Sequence, residues 1–119
     1  MADPIVYIEL PSADLAGSRD FYAEAFGWTV RLHGEEYAEY EAGEQAVSVG
    51  FNRVAPGEDR PEGKPLPYIK VEDIDAKLAQ VVAAGGTVIK PKTLISEQYG
   101  SYALFADPSG SVLGLWSMA

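Results

Sequence analysis

The sequence predicts an α+β protein built from two βαβββ modules whose strands form an eight-stranded curved sheet. Strand and helix patterns follow the same order in both halves of the 119-residue chain. A shift of 59 residues places Asp14 on Asp73 and Gly27 on Gly86, which indicates an internal repeat. Residues 54–65 carry three prolines and two glycines, and this composition excludes a regular element between the halves.

A chain of this length is predicted to form one domain over residues 1–119. Within it we place module one at 4–53, a linker at 54–65 and module two at 66–118. One module alone leaves a sheet face unburied, so the two modules are expected to pair side by side with their helices outside. The inner face of the paired sheet would then form a trough.

Module one is predicted to begin with a strand over residues 5–10, which Pro11 ends. Ser12 or Asp14 can cap the next helix, because a short oxygen side chain accepts hydrogen bonds from the amides of the first turn. Gly27 supplies a left-handed end. Apolar side chains recur at roughly helical spacing along this helix, at Leu15, Phe21, Tyr22, Ala25 and Phe26. The aromatic ones among them are expected in the core.

Three further strands complete module one. We place them at residues 28–32, 36–42 and 46–51, with a turn at Gly43. The middle strand alternates strictly from side to side, as a half-buried strand does.

Module two repeats this order with a strand over residues 66–71 and a helix that Asp73 caps. The helix is predicted to end at Gly85-Gly86 and to bury one face, formed by Ile74, Leu78, Val81 and Val82. A strand over 87–90 should stop at Pro91. The last two strands, 101–106 and 111–116, are predicted to form a hairpin across the tetrad Asp107-Pro108-Ser109-Gly110.

Composition narrows the function classes. The chain has 9 Lys+Arg and 18 Asp+Glu, so a nucleic acid or an anionic membrane surface is not an expected partner. It has no cysteine, which excludes disulfides and thiolate chemistry and fits the cytoplasm. No apolar run approaches the ~18 residues of a membrane helix. The first residues, Met1-Ala2-Asp3-Pro4, do not predict a secretion signal.

Side-chain alternation brings a few functional groups to one strand face. Tyr7 and Glu9 share a face, and Glu9 is the best candidate for a catalytic acid–base carboxylate or a partner of a cationic ligand. Alternatively, Glu9 pairs with Lys70 or lies at the rim. Lys70 shares the face of Leu66 and Tyr68, where it could hold an anionic ligand group or simply be solvated.

Five aromatic side chains could line the trough and stack on a flat or cationic ligand, although core packing is the alternative for each of them. The predicted ligand-binding set is therefore Tyr7, Glu9, Trp28, Tyr40, Tyr68, Lys70, Tyr102 and Trp116.

Other charged groups have simpler explanations. His33, the single histidine, could act as a lone base but is expected in an exposed turn. The run from Glu35 to Glu41 could attract a cation or form a solvated strand. The acidic side chains from Glu72 to Asp75 are explained by the helix macrodipole.

The motifs of both halves resemble those of the vicinal oxygen chelate superfamily. The first half has D-L-x-x-S-x-x-F-Y from Asp14 to Tyr22, then Phe26-Gly27-Trp28. The second half has P-Y-I-x-V-x-D-I-D-A from Pro67, A-A-G-G from Ala83, and A-L-F-x-D-P-S-G from Ala103. The resemblance implies the glyoxalase/bleomycin resistance fold and a homodimer, which an apolar trough in need of a cover also favours.

Enzymes of this superfamily bind a divalent metal with one side chain from each of four inner strands. By this resemblance the four positions fall on Tyr7, on Val49 (or Ser48 if the frame slips by one), on Leu66 and on Gly114. None is a usual metal ligand, so no metal site is predicted.

We therefore expect a metal-independent protein that binds a small molecule in the concave sheet, as bleomycin-resistance members do. One alternative is a metal-free lyase or isomerase with Glu9 or His33 as the base. The other is a glyoxalase-like lyase or dioxygenase with a divalent metal.

Overall fold

A computed structural model describes residues 2–42, 46–53 and 65–119. The predicted turn at Gly43 and nearly all of the predicted linker lie outside the described residues. The chain divides into two compact units, Val6–Leu66 and Met1–Ile5 with Pro67–Ala119. The α+β class and the βαβββ order of both modules are confirmed.

Module one contains four strands and one helix: β1 (Ile5–Ser12), α1 (Leu15–Phe26), β2 (Val30–His33), β3 (Tyr37–Tyr40) and β4 (Ser48–Arg53). Strand β2 is antiparallel to β3, and β3 is antiparallel to β4. Strand β1 then pairs with β4 in parallel. The predicted strand at 28–32 begins two residues later, because Trp28 and Thr29 precede the ladder.

Module two has the same architecture: β5 (Leu66–Lys70), α2 (Ile74–Ala83), β6 (Thr87–Ser96), β7 (Gly100–Ala106) and β8 (Val112–Ser117). Strand β5 is parallel to β8, while the pairs β8–β7 and β7–β6 are antiparallel. Neither helix in the described part of the chain is long and apolar enough to cross a membrane.

Two proline predictions are wrong. Strand β1 continues through Pro11 to Ser12, and β6 continues through Pro91 to Ser96. The β6–β7 register shifts between Val88 and Lys90 and again between Lys90 and Thr93, so Pro91 falls where the ladder is irregular. A proline at such a position costs no ladder hydrogen bond, because the regular pairing is already interrupted.

Aspartate side chains begin both helices. Asp14, not Ser12, caps α1, and its carboxylate accepts a hydrogen bond from Gly17 N at 3.0 Å. Asp73 caps α2 by accepting from Ala76 N, also at 3.0 Å. Helix α1 ends at Gly27, whose φ of 73° lies in the left-handed region that glycine adopts without strain.

Each helix packs on one face of the strands of its own module. The core of module one consists of Leu15, Val30, Ala38, Val49 and Phe51. The core of module two consists of Val71, Ile74, Leu78, Ala103, Phe105 and Leu115. These two clusters identify which strand positions face the helix, and the alternate positions face away from it.

Two aromatic side chains expected in the core are exposed. Phe21 retains 57% of its surface and Phe26 retains 63%. Phe21 lies six residues after the buried Leu15, and at about 3.6 residues per turn this spacing places the two side chains on different sides of the helix. Phe26 is exposed at the end of the helix, because it is the last helical residue. Val82, expected on the buried face of α2, is likewise exposed.

We expect D73A to lower the free energy of unfolding by about 1 kcal/mol, because the mutation leaves an amide of the first turn of α2 without its acceptor. D75A removes a carboxylate from the same turn without removing the cap, so it should cost clearly less. Urea denaturation of both variants measures the difference. Equal losses would contradict the assigned role of Asp73.

Candidate functional site

In each module the strands have one face packed on the helix and one face turned away from it, which we call the open face. In module one the open face carries Tyr7 and Glu9 from β1, His33 from β2, Tyr37 and Glu39 from β3, and Gly50 from β4. In module two it carries Tyr68 and Lys70 from β5, Tyr102 from β7, and Gly114 and Trp116 from β8.

Two tyrosine hydroxyls meet on the open face of module one. Tyr7 Oη and Tyr37 Oη are 2.5 Å apart and hydrogen-bonded. Both lie over Gly50: a Cβ atom at that position would overlap Tyr7 Oη and lie 2.6 Å from Tyr37 Oη. The pair therefore requires glycine at position 50.

Carboxylates flank this tyrosine pair. Glu9 and Glu39 are both register partners of Gly50, one on each neighbouring strand. Glu39 Oε1 lies 3.6 Å from His33 Nε2. His33 belongs to β2 and is paired with Tyr37, whereas a turn was expected for it. The open face of module one thus presents hydroxyl and carboxylate oxygens, which suit hydrogen bonding and proton transfer.

The open face of module two is aromatic. Tyr102 and Trp116 are register partners on β7 and β8, and the rings of Tyr68 and Tyr102 are 6.5 Å apart with an edge-to-face tilt. Trp116 Nε1 donates a hydrogen bond to the backbone oxygen of Tyr99 at 2.7 Å, which orients the indole. Four of the residues predicted to bind ligand therefore share this face: Tyr68, Lys70, Tyr102 and Trp116.

Two lysines bring positive charge to these rings. Lys70 Nζ lies 5.9 Å from the centroid of the Trp116 ring, and Lys90 Nζ lies 5.1 Å from that of Tyr102. Both distances are in the range of cation–π attraction. Lys90 was predicted only as the last residue of a strand, and nothing in the local sequence indicates its position over Tyr102.

Trp28 and Tyr40 lie on the opposite face from the one expected. Both pack against the module-one core on the helix side, where their rings stack at 4.4 Å. Tyr22 of α1 stacks on Trp28 in turn, at 4.9 Å. Because Tyr40 has the same alternation as the buried Ala38, its side chain points toward the helix. These two rings are structural within this chain and are not part of either open face.

The residues at the implied metal positions do not fit a metal ion. Val49 belongs to the core on the helix side. Of the two candidate positions on β4, Ser48 is therefore the one that lies on the open face. Tyr7 already shares its hydroxyl with Tyr37. At Gly114 a Cβ atom would overlap the Tyr68 ring, so this position has no room for a ligating side chain. No group of three or more His, Cys, Asp or Glu that could hold a metal occurs among the described residues.

Two residues of the module-one open face were missed from the sequence, and one of them had a signal. Gly50 interrupts a strand of otherwise larger side chains, and an isolated glycine in a strand often marks a close approach. The sequence indicates Tyr37 only as part of the acidic run, because its partner Tyr7 is 30 residues away.

Comparison with known proteins identifies the family. The Glyoxalase/Bleomycin resistance protein/Dioxygenase superfamily matches residues 4–115. Anthracycline biosynthesis protein DauV of Streptomyces sp. (strain C5) is 32% identical over an alignment of 127 positions. This alignment covers 92% of this chain and 45% of DauV. The chain thus spans less than half the length of the curated relatives that it matches.

Solved structures have the same fold. The Mn(II)-bound glyoxalase from Novosphingobium aromaticivorans matches with a TM-score of 0.68 and 25% identity, covering 96% of this chain and 38% of that one. Methylmalonyl-CoA epimerase from Mycobacterium tuberculosis matches with a TM-score of 0.73 and 15% identity, covering 97% and 87%.

We expect G114A to destabilise the protein by about 1–3 kcal/mol, because the added methyl group would overlap the Tyr68 ring in a packed sheet. In a Y68A background the same substitution should cost much less, because the ring that it displaces is gone. Urea denaturation of the two single variants and the double variant gives the coupling energy. Strict additivity would show that Tyr68 does not occupy the space above Gly114.

Proposed function

The chain belongs to the Glyoxalase/Bleomycin resistance protein/Dioxygenase superfamily, and from this premise we propose that it binds a small planar molecule without a metal ion. The observation that carries the proposal is the open face of module two, where Tyr68, Tyr102 and Trp116 gather on adjacent strands. Aromatic side chains provide flat apolar surface for stacking at a low cost in conformational entropy.

Metal independence is supported by the side chains themselves. A divalent ion gives up its hydration only where several donors converge. Gly114 and Val49 supply no donor, and the hydroxyl of Tyr7 is hydrogen-bonded to Tyr37. The Tyr68 ring over Gly114 and the Tyr7–Tyr37 hydroxyl pair occupy space that two metal-ligating side chains would need.

The relatives are compatible with a planar ligand. DauV is named for anthracycline biosynthesis, and anthracyclines contain fused flat rings. Stacking on Trp116 and Tyr102 is the interaction that such a ring system would make here.

We expect W116L to weaken binding of naphthalene-2-carboxamide, a neutral planar probe, by about 10-fold, because it removes the largest ring of this face. F26A is the control, since Phe26 is an exposed ring on α1. Isothermal calorimetry measures both affinities, and circular dichroism checks that both variants are folded. Equal affinities for wild type, W116L and F26A would refute the proposed binding face.

Metal analysis of protein purified without chelator tests the other half of the proposal. We expect no stoichiometric Zn, Ni, Mn or Fe, and probe affinity that EDTA treatment leaves unchanged. Stoichiometric metal whose removal abolishes binding would instead favour the glyoxalase-like lyase or dioxygenase.

A second candidate function is a metal-free lyase or isomerase, which the open face of module one favours. Glu9 stands beside the Tyr7–Tyr37 hydroxyl pair across Gly50. In such an enzyme the Glu9 carboxylate would take a proton from carbon next to a carbonyl group. The electron pair of that C–H bond would form a carbon–carbon double bond while the π pair of the carbonyl group moves to its oxygen, and a tyrosine hydroxyl would stabilise the resulting oxyanion by hydrogen bonding.

Under this second function, E9Q should lower the turnover of a carbonyl substrate by at least about 100-fold, because the amide cannot accept the proton. The rise of the rate with pH that ionisation of Glu9 causes should disappear as well. E36Q is the matched control, since Glu36 is an exposed carboxylate paired with Arg53. A panel of carbonyl compounds with no turnover by the wild-type protein would count against the enzyme.

A further inference from the structure

We infer that the planar ligand of module two carries a carboxylate, which Lys70 binds while the ring stacks on Trp116. This inference rests on the proposed function and adds the charge and orientation of the ligand. The sequence had left a cationic ligand open, and the arrangement of charge on this face argues for the opposite sign.

Lys70 is positioned by the sheet. It is the register partner of Trp116 across the parallel β5–β8 pair, and its backbone N–H donates to Pro4 O at 2.9 Å. Its side chain is exposed, with Nζ 5.9 Å from the indole centroid. The ammonium group therefore lies over the indole, where it can reach a substituent of a molecule bound against the ring.

The charge of Lys70 is not neutralised within its module. The chain has twice as many acidic as basic residues, and most described basic side chains form ion pairs with carboxylates. These pairs are Arg19–Asp20, Arg31–Glu41, Arg53–Glu36 and Lys77–Asp3. In the described part of module two, no carboxylate forms an ion pair with Lys70. A lysine without such a partner in so acidic a chain is suited to bind an anion.

The lysines over the aromatic rings also favour an anionic ligand over a cationic one. The faces of Trp116 and Tyr102 attract cations, but Lys70 and Lys90 already supply an ammonium group to each of them. At Trp116 a cationic ligand would meet the like charge of Lys70. A planar carboxylate gains stacking from the rings and a charge-assisted hydrogen bond from Lys70.

Three naphthalene derivatives test the inference, because they share the same ring system and carry a negative, a neutral or a positive substituent. Wild-type protein should bind naphthalene-2-carboxylate about fivefold more tightly than the neutral naphthalene-2-carboxamide, as expected for an exposed ion pair. It should bind 2-naphthylmethylammonium most weakly. The preference for the carboxylate should decrease as the salt concentration rises.

Variants of Lys70 assign the preference to this residue. K70M keeps a long apolar side chain beside Trp116 and removes only the charge, so it should lose the fivefold preference and keep its carboxamide affinity. K70R should retain the preference. K77M is the matched control, because Lys77 pairs with Asp3 and lies on α2, the helix that packs on the other face of the module-two strands; it removes the same charge and should leave the preference intact.

The outcomes separate this inference from the proposed function. If the wild-type protein binds none of the three probes, the proposed planar-ligand site is wrong and the inference fails with it. If it binds the carboxamide and carboxylate equally, or if K70M keeps the preference, only the assignment of an anionic ligand to Lys70 is overturned.

Discussion

Contact between a tyrosine on the first strand and a glycine on the last strand organises the open face of each module. In module one the hydroxyl of Tyr7 lies over Gly50, and in module two the ring of Tyr68 lies over Gly114. A strand places neighbouring backbones only about 4.8 Å apart, so a tyrosine can cross the next strand only where that strand lacks a Cβ atom. The glycines thus determine which side chains can occupy the middle of each face.

The two modules use the same contact for different chemistry. Over Gly50, Tyr7 meets a second hydroxyl and lies between carboxylates, so that face is rich in oxygen. Over Gly114, Tyr68 meets Tyr102 and Trp116, so that face is flat, apolar and bordered by lysine. The two modules therefore share the tyrosine–glycine contact, although the side chains around it differ. A Mn(II)-bound glyoxalase has the same fold, whereas the described residues of this chain contain no group of three or more His, Cys, Asp or Glu that could hold a metal ion.

Much of this arrangement follows from the sequence, because its signals are local. Aspartate at the helix start and glycine at its end locate α1, and the period of two places Tyr7 with Glu9 and Tyr68 with Lys70. Alternation alone does not say which of two faces meets the helix, which is why Trp28 and Tyr40 were expected on the open face. Their side was decided by packing with Tyr22 on α1. The Tyr7–Tyr37 pair and the position of Lys90 depend on strand register, which no short segment specifies.

Strand β6 also affects how the protein meets other copies of itself. It pairs on one side with β7, its ladder is interrupted twice around Pro91, and lysines stand on both sides of that proline. An unpaired strand border offers amide and carbonyl groups to any extended chain that arrives, and proline, bulges and lysine are the features that disrupt such a template. Strand β6 therefore carries features that oppose intermolecular sheet growth, and one of them is the same proline that the sequence suggested would end the strand.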